Sequence, residues 1–196
     1  GVVWTGNDWL LSLSPELFFA VQGRKVTTKP MKGTAARQRD PAKDAAAHDS
    51  LTASPKQRAE NLMIVDLLRN DLSRVAAPGS VQVPELFRVE SYPTVHTMTS
   101  TVIAQLADGE DVVSLLSAIY PCGSITGAPK IRAMEIIKAV EPDARGIYTG
   151  SIGRIDPDGS AAFNVAIRTL HLHGDESQAT LGLGGGIVAD SRMGDE

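Results

Sequence analysis

A lysine that precedes a glycine is the residue of this chain whose setting most favours chemistry. Lys32 lies in the segment PMKGT at residues 30–34. Pro30 fixes its own φ and biases its neighbour toward an extended conformation, and Gly33 has no Cβ, so a ligand can approach the backbone there. An amine held beside such a turn can act as a nucleophile once burial favours its neutral form. The alternative is a solvated lysine ahead of a surface turn, which is where most lysines lie.

A carboxylate, Glu60, stands on a segment that is otherwise typical of an apolar helix. Gln57 lies three positions earlier and shares its face of the helix. Asp66 lies six positions later, about 240° around a helix that turns about 100° per residue, so it points elsewhere. Glu60 is therefore a candidate metal ligand or acid–base group. The alternative is an exposed acid in the first helical turn, stabilised by the helix dipole.

Two glycine-containing segments are candidate binding sites for an anion. Residues 123–129 (GSITGAP) precede a predicted helix, whose N-terminal amides and dipole attract carboxylate or phosphate. This segment is not a Walker loop, because no Gly-Lys-Ser/Thr follows the glycines, and a plain strand-to-helix connection is the alternative. Residues 184–186 (GGG) interrupt a predicted strand, where three glycines suit either the close approach of a ligand or a bulge.

Four further side chains belong to residue types that often carry chemistry. Arg168 is predicted within an apolar strand, where a buried arginine would need an anionic partner such as a carboxylate; the alternative is an outward-facing charge. His171 and His173 alternate along the same strand, so they could bind a metal ion on one face or could face the solvent. Cys122 is expected to be an unreactive loop residue, because no histidine or second cysteine is near it in sequence.

The elements that must position these residues begin with two hairpins and a helix. Hairpins are predicted over residues 2–14 and 17–28, where apolar runs flank turn residues. Ser54 is a good N-cap for a helix that begins at Pro55, and Gln57 completes a capping box. This helix is apolar nearly all round, so it is expected to be buried on most sides.

The rest of the chain indicates further helices and then strands. Residues 38–50 are polar and rich in alanine, which indicates a surface connection or a frayed helix. Helices are predicted over residues 112–119 and 129–140. An antiparallel meander is predicted over residues 147–155, 162–172 and 179–189. Strands with segregated helices are typical of an α+β fold, in which helices pack on antiparallel sheets.

Length and composition fit one sizeable domain over residues 1–196. The chain is 42% hydrophobic and 21% charged, and its net charge of −4 without a basic block gives nucleic-acid binding no support. A single cysteine excludes an intramolecular disulfide and fits the reducing cytoplasm. No apolar run approaches the roughly 18 residues of a membrane span, and no signal peptide is visible. Because the chain starts at Gly1 and stops soon after the triple glycine, we expect an internal piece of a longer protein.

Five segments, in order and correctly spaced, resemble the chorismate-utilising enzymes. They are residues 14–18 (SPELF), 30–34 (PMKGT), 58–67 (RAENLMIVDL), 123–130 (GSITGAPK) and 184–191 (GGGIVADS). The resemblance covers nearly the whole chain and implies the α+β fold of that family, with antiparallel sheets and packed helices, incomplete at both ends. Lys32 favours the aminodeoxychorismate-forming branch, because anthranilate synthases and isochorismate-type enzymes usually have alanine at that place.

The resemblance implies a reaction between chorismate and ammonia. Lys32 would attack C2 of chorismate while Glu16, as general acid, protonates the leaving C4 hydroxyl. Ammonia from a glutamine amidotransferase subunit or domain would then add at C4 and expel the lysine, giving 4-amino-4-deoxychorismate. Mg²⁺, which prefers oxygen ligands, would be held by Glu60 and Glu196. The implied substrate-binding residues are Thr34, Ser124, Tyr148, Arg168, Gly184, Gly185 and Gly186.

Some positions depart from the family's pattern. Gln57 stands where anthranilate synthases often have a second metal-site glutamate, Thr97 where they have a histidine, and Cys122 where a glycine is usual. A further metal-site glutamate and a substrate-binding lysine would lie beyond Glu196. Two alternatives stay open. One is an anthranilate synthase component I, against which Lys32 argues. The other is a non-catalytic fragment that binds chorismate without turning it over, or that only docks to the amidotransferase.

Overall fold

The computed structural model describes residues 1–174, 178–188 and 191, which form two antiparallel sheets and four α-helices. This architecture confirms the predicted α+β class. The strands are β1 (Val2–Trp4), β2 (Trp9–Ser12), β3 (Leu17–Gln22), β4 (Lys25–Lys29), β5 (Met31–Ala36), β6 (Gln82–Ser91), β7 (Val95–Gln105), β8 (Ser151–Ile155), β9 (Ala161–Val165), β10 (Thr169–Leu172) and β11 (Ala179–Leu181). The helices are α1 (Pro41–Ala53), α2 (Pro55–Leu72), α3 (Val112–Ile119) and α4 (Lys130–Val140), with a 3-10 turn at Gly123–Ile125.

A seven-stranded sheet positions the predicted nucleophile. Its strand order is β5-β7-β4-β3-β9-β8, and β6 also pairs with β7. Only Pro30 separates β4 from β5, and both strands pair with β7 in antiparallel register. The backbone N–H of Ser100 in β7 donates to the carbonyl of Pro30 at 3.1 Å, so the ladder continues across the proline. Lys32 follows at the start of β5, where the register with β7 shifts between Met31 and Thr34.

One face of helix α2 packs against the rest of the protein, and the other face is exposed. Ser54 caps it by accepting a hydrogen bond from the backbone N–H of Gln57, as predicted, but the Gln57 side chain makes no reciprocal bond among the described residues. Leu62 and Met63 are 42% and 38% exposed, so the prediction that the helix is buried on most sides is wrong. Helical periodicity turns these two side chains away from the sheet. The buried residues of α2 are Asn61, Ile64, Val65, Leu68, Asp71 and Leu72.

The hydrophobic core combines side chains of the seven-stranded sheet with those of α2 and α3. Its larger members are Phe18, Phe19, Val21, Val26, Val65, Leu72, Val102, Leu115 and Ile119. The ring of Phe19 in β3 stacks on that of Phe163 in β9, with 4.9 Å between the ring centroids. The helix α3 has the predicted bounds, and a capping box between Asp111 and Ser114 marks its start. This core includes side chains of β3, the strand that begins directly after the predicted catalytic residue Glu16.

Residues 41–53 form a regular helix, α1, where the sequence left a surface connection or a frayed helix open. The Asp40 carboxylate caps it by accepting hydrogen bonds from the N–H groups of Ala42 and Lys43, at 2.8 and 3.1 Å. Only Leu51 of this helix is buried. The cap and the helix propensity of alanine therefore support α1 although it has little apolar surface.

A separate four-stranded sheet has the order β1-β2-β10-β11. The predicted meander of the last strands is therefore wrong, because β8 and β9 belong to the seven-stranded sheet whereas β10 and β11 belong to this one. The chain crosses between the sheets after Val165, and the carbonyl of Arg168 accepts a hydrogen bond from the N–H of Leu13 at 3.0 Å. The last predicted strand ends at Leu181, ahead of the glycines that weaken strand pairing.

No single helix of the described chain is long and apolar enough to cross a membrane. The segments Val112–Ile125 and Lys130–Val140 reach that length and composition only as a pair, and they are bent by 61° at the break between them.

Candidate active site

Glu16 is a buried carboxyl group just before β3. The residue is 5% exposed, and its backbone carbonyl accepts a hydrogen bond from the N–H of Val165 at 3.1 Å. Burial raises the pKa of the Glu16 carboxyl, while a hydrogen bond with Ser124, the charge of Lys32 and the N–H of Met31 act in the opposite direction. The net shift favours the protonated form, which is the form that a general acid needs.

The Lys32 amine lies between the loop that follows α3 and the glycine-rich segment after β11. Its Nζ donates a hydrogen bond to the carbonyl of Ser124 at 3.1 Å. A Cβ placed on Gly186 would lie 3.6 Å from the same nitrogen, so the glycine backbone passes close to the amine. Lys32 is half-buried. The alternative of a solvated surface lysine therefore does not describe its surroundings.

Gly33 is required by the packing of two helices. The sequence had predicted the close approach of a ligand at this position. Its φ is +84°, in the left-handed region that favours glycine. A Cβ there would lie 2.8 Å from Oε1 of Gln57 and 3.0 Å from Cδ1 of Leu51. The end of α1 and the first turn of α2 therefore pack directly on the backbone beside Lys32.

Ser124 connects the two predicted catalytic residues. Its carbonyl accepts the hydrogen bond from Lys32, and its side chain lies near enough to Glu16 to lower the pKa of that carboxyl. The same hydroxyl oxygen lies 3.2 Å from the sulfur of Cys122. Burial, with the nearby Glu16 carboxylate, raises the pKa of the Cys122 thiol to about 12, which keeps it neutral and agrees with the expected lack of reactivity. Ser124, which the resemblance implied as a substrate ligand, therefore lies between the two predicted catalytic residues.

Tyr148 packs on the glycine-rich segment that reaches Lys32. A Cβ on Gly182 would lie 2.2 Å from Cγ of Tyr148, and a Cβ on Gly184 would lie 2.7 Å from its hydroxyl oxygen. Glycine at these two positions lets the ring lie against the backbone. A Cβ on Gly185, in contrast, would meet nothing within 4 Å. Gly182 was missed because the sequence pattern singled out only the triple glycine that follows it.

Glu60 is half-buried on α2, one helical turn after Gln57. It has no hydrogen-bond or ion-pair partner among the residues that the structure describes. A carboxylate that is partly shielded from water and not already paired fits a hard cation such as Mg²⁺, which prefers oxygen ligands. The other predicted metal ligand, Glu196, lies outside the described residues.

Arg168 and Thr34 are exposed, unlike the residues above. Arg168 lies at a bend between β9 and β10 with a φ of +50°, so the prediction of a strand position is wrong. Its guanidinium has no partner within the described part of the chain, so it is not the buried, paired arginine considered from the sequence. Thr34 lies opposite Thr97 in the pairing of β5 with β7. A ligand that contacts either side chain would reach it from the solvent side.

A buried ion pair, which sequence reasoning missed, holds the loop of residues 123–130 against α2. The Lys130 ammonium donates to the Asp71 carboxylate and, at 2.9 Å, to the carbonyl of Ile119. Only 2% of the Asp71 side chain is exposed. The sequence signal was an acidic residue on the buried face of α2, but its partner is 59 residues away in the chain.

A cavity of about 540 Å³ lies between α4 and the segment that leads into β8. Tyr148 and Arg145 line it, and Arg145 donates to the carbonyl of Ile125 at 3.1 Å. Neither Lys32 nor Glu16 lines this cavity. The cavity therefore adjoins the candidate site at Tyr148 and does not contain the two predicted catalytic residues.

Known proteins share this sequence over almost its whole length. The family described as chorismate binding enzyme matches residues 3–196. The chain belongs to this family. It is 52% identical over 182 residues to aminodeoxychorismate synthase component 1 of Klebsiella aerogenes, covering 93% of this chain and 40% of that protein. It is 44% identical over 191 residues to anthranilate synthase component 1 of Streptomyces coelicolor, covering 95% of this chain and 36% of that protein.

A solved structure shares the fold. The crystal structure of anthranilate synthase component I from Streptococcus pneumoniae TIGR4 matches with a TM-score of 0.79 and 35% identity, over 88% of this chain and 38% of that chain. This likeness confirms the fold that the resemblance implied. The chain spans about 40% of the length of the curated relatives with the aminodeoxychorismate synthase name. Within the described residues, family segments that are far apart in sequence meet around Lys32 and Glu16.

Proposed function

We propose that this chain carries the catalytic centre of an aminodeoxychorismate synthase component 1, which converts chorismate and ammonia to 4-amino-4-deoxychorismate, a precursor of para-aminobenzoate and folate. The observation that carries the proposal is the joint contact of Ser124 with Lys32 and Glu16, since one residue holds an amine and a buried acid together. The relatives of that name from Klebsiella aerogenes and Salmonella typhimurium, 52% and 50% identical, support the same branch of the family.

The two side chains would divide the reaction between a nucleophile and an acid. The neutral Lys32 amine would form a bond to C2 of chorismate while the ring double bond shifts and the C4–O bond breaks. Glu16, whose pKa is raised by burial, would give its proton in the acid form to the departing hydroxyl, which leaves as water. Ammonia would then bond to C4, the double bond would shift back, and the amine would leave C2. The Glu16 carboxylate would accept the proton that the added ammonia loses, which returns both groups to their starting forms.

Other residues would bind the substrate and a metal ion. Arg168, Tyr148 and the amides of residues 184–186 would hold the enolpyruvyl group, because a guanidinium and backbone N–H groups suit a carboxylate. Thr34 would contact the substrate from β5. Glu60 would be a ligand of Mg²⁺, which when bound would offset the negative charge of the ring carboxylate.

The ammonia would come from a glutamine amidotransferase subunit or domain. The words "component 1" in the names of the bacterial relatives support the existence of a second component. A cytoplasmic location is proposed with it, since the single cysteine of the chain is a buried, neutral thiol that suits a reducing compartment.

Product identification tests the proposal in the whole protein that carries this chain. Chorismate, Mg²⁺ and ammonium are supplied, and the products are separated by liquid chromatography and mass spectrometry. The wild type is expected to form 4-amino-4-deoxychorismate, and Lys32→Ala should abolish any covalent adduct seen by intact mass. Lys25→Ala is the matched control, because Lys25 is an exposed lysine of the neighbouring strand β4.

An anthranilate synthase component 1 is the second candidate, favoured by the 44% identical relative of that name. Anthranilate as the main product of the wild type would overturn the proposal in favour of this candidate. Chorismate binding without turnover would leave only a binding role. If Lys32→Ala forms 4-amino-4-deoxychorismate at the wild-type rate, the covalent step is wrong although the product assignment stands.

A further inference from the structure

Asp8, His171 and His173 form a cluster on the four-stranded sheet, on different elements from the predicted active-site residues. Their ligand atoms all lie within 4.8 Å of one another. Nε2 of His171 lies 2.9 Å from Oδ2 of Asp8, and the two imidazole rings are 4.1 Å apart between centroids. All three residues are half-buried.

Strand pairing explains why these residues meet. β10 pairs antiparallel with β2, and Leu172 lies opposite Trp9. The next pair outward would place His173 opposite Asp8. His171 and His173 are two residues apart, so their side chains leave the same face of the strand.

Neighbouring groups orient the cluster from outside. The N–H of Gly174 donates to Oδ1 of Asp8 at 2.9 Å, which leaves Oδ2 directed at His171. A Cβ on Gly174 would lie 2.2 Å from the carbonyl oxygen of Asn7, so this close approach needs glycine. Hydrogen bonds of this kind fix the orientation of metal ligands in many proteins.

We propose that Asp8, His171 and His173 bind a Zn²⁺ ion that fastens the β1–β2 turn to β10. Zn²⁺ takes imidazole nitrogen and carboxylate oxygen ligands in a tetrahedral arrangement, at about 2.0–2.2 Å. Two ligands on such an ion are separated by roughly 3.3 Å, so the 2.9 Å contact between Asp8 and His171 needs to open by only a few tenths of an ångström. The two imidazoles select Zn²⁺ over Mg²⁺, which prefers oxygen ligands and ordered water.

The ion would act as a structural clip. Asp8 and His171 are 163 residues apart in the chain, and the strands that they join are short, with three residues in β1 and four in β10. A metal that binds only the folded arrangement stabilises it in proportion to its affinity and concentration. The site is independent of the proposed reaction at Lys32.

Zinc titration of the whole protein against a chromophoric chelator tests this proposal. The wild type should bind one Zn²⁺ more tightly than any of its variants at the cluster. Asp8→Asn keeps an oxygen for the Gly174 N–H but removes the charge, and His173→Ala removes one ligand; each should weaken Zn²⁺ binding at least about 100-fold. Saturating Zn²⁺ should raise the melting temperature of the wild type but not of Asp8→Asn.

Two controls separate this site from other metal binding. His48→Ala removes a histidine on α1, outside the cluster, and should leave Zn²⁺ affinity unchanged. Glu60→Gln should also leave it unchanged, because Glu60 belongs to the proposed Mg²⁺ site. The proposal is overturned if Asp8→Asn and His173→Ala, folded by circular dichroism, bind Zn²⁺ as the wild type does, or if only Glu60→Gln loses it.

Discussion

Glu16 is buried and Lys32 is half-buried, whereas Arg168 and residues 184–186 are exposed. Ser124 lies between Glu16 and Lys32, and burial raises the pKa of the Glu16 carboxyl. The Arg168 guanidinium has no partner among the described residues. Burial therefore changes the pKa of a side chain in the first region, whereas the second region leaves its guanidinium and its glycine backbone open to the solvent. Four substitutions test this division, and they follow in order of decreasing effect.

Glu16→Gln should lower kcat by about 10²–10⁴-fold, because glutamine has the same shape but no proton to give. The folded pKa of Glu16 is raised, so the wild-type rate should fall as the pH rises through that value and the acid loses its proton. The variant should lack this alkaline limb. Steady-state rates across the pH range provide the measurement, and an alkaline limb of unchanged position in Glu16→Gln would place the acid elsewhere.

Arg168→Ala should raise KM about 10- to 100-fold with a smaller effect on kcat, since a hydrogen bond to a charged group contributes about 1.5–3 kcal/mol. The melting temperature should not change, because the side chain is exposed and unpaired within the described residues. Arg154→Ala is the control, as an exposed arginine of β8 without a predicted role. Equal effects of the two substitutions on KM would show that Arg168 does not contact the substrate.

Gly182→Ala should lower the free energy of unfolding by about 1–3 kcal/mol, which is typical of overpacking. Its Cβ would lie 2.2 Å from Cγ of Tyr148, so the ring must move. Gly185→Ala is the matched control, because its Cβ meets nothing within 4 Å and its effect should stay within about 0.5 kcal/mol. Denaturant titration measures both values. Equal stability of the two variants would mean that Tyr148 does not pack on this segment as described.

Ser124→Ala should lower kcat about 2- to 10-fold, the effect of one lost hydrogen bond of about 0.5–1.5 kcal/mol. The backbone carbonyl that accepts from Lys32 remains. Because the Ser124 hydrogen bond lowers the pKa of Glu16, its loss should move the alkaline limb of the rate to higher pH. Ser117→Ala on α3 is the control, since its hydroxyl bonds only within that helix. A shift to lower pH would contradict the assigned contact.

Much of the secondary structure could be predicted because its signals are local. The bounds of α3 and the start of α2 at Pro55 follow from caps and apolar periodicity, and both are confirmed. The separation of β9 from β10 could not be predicted, because both have the same strand-like composition and only their partners in different sheets distinguish them. The long strand β7 was not predicted either; its pairing partners come from three other strands.

Part of the candidate site could likewise be predicted from the sequence, and part of it could not. Motif resemblance selected Lys32, Glu16 and Ser124, and the described structure places them in contact. No local pattern indicated that Gln57 would pack on Gly33, or that Lys130 would pair with Asp71, because each contact joins elements that meet only after folding.

The class of fold, the family and the side chains able to take part in chemistry follow from the sequence alone, since these depend on residue type and short-range spacing. The surroundings of those side chains follow only from the tertiary fold. Burial raises the pKa of the Glu16 carboxyl, the bend at Arg168 leaves its side chain exposed, and strand pairing brings Asp8 to His171 across 163 residues of chain. The physical reason is that desolvation and long-range pairing depend on which surfaces come together, and spacing along the chain does not record this.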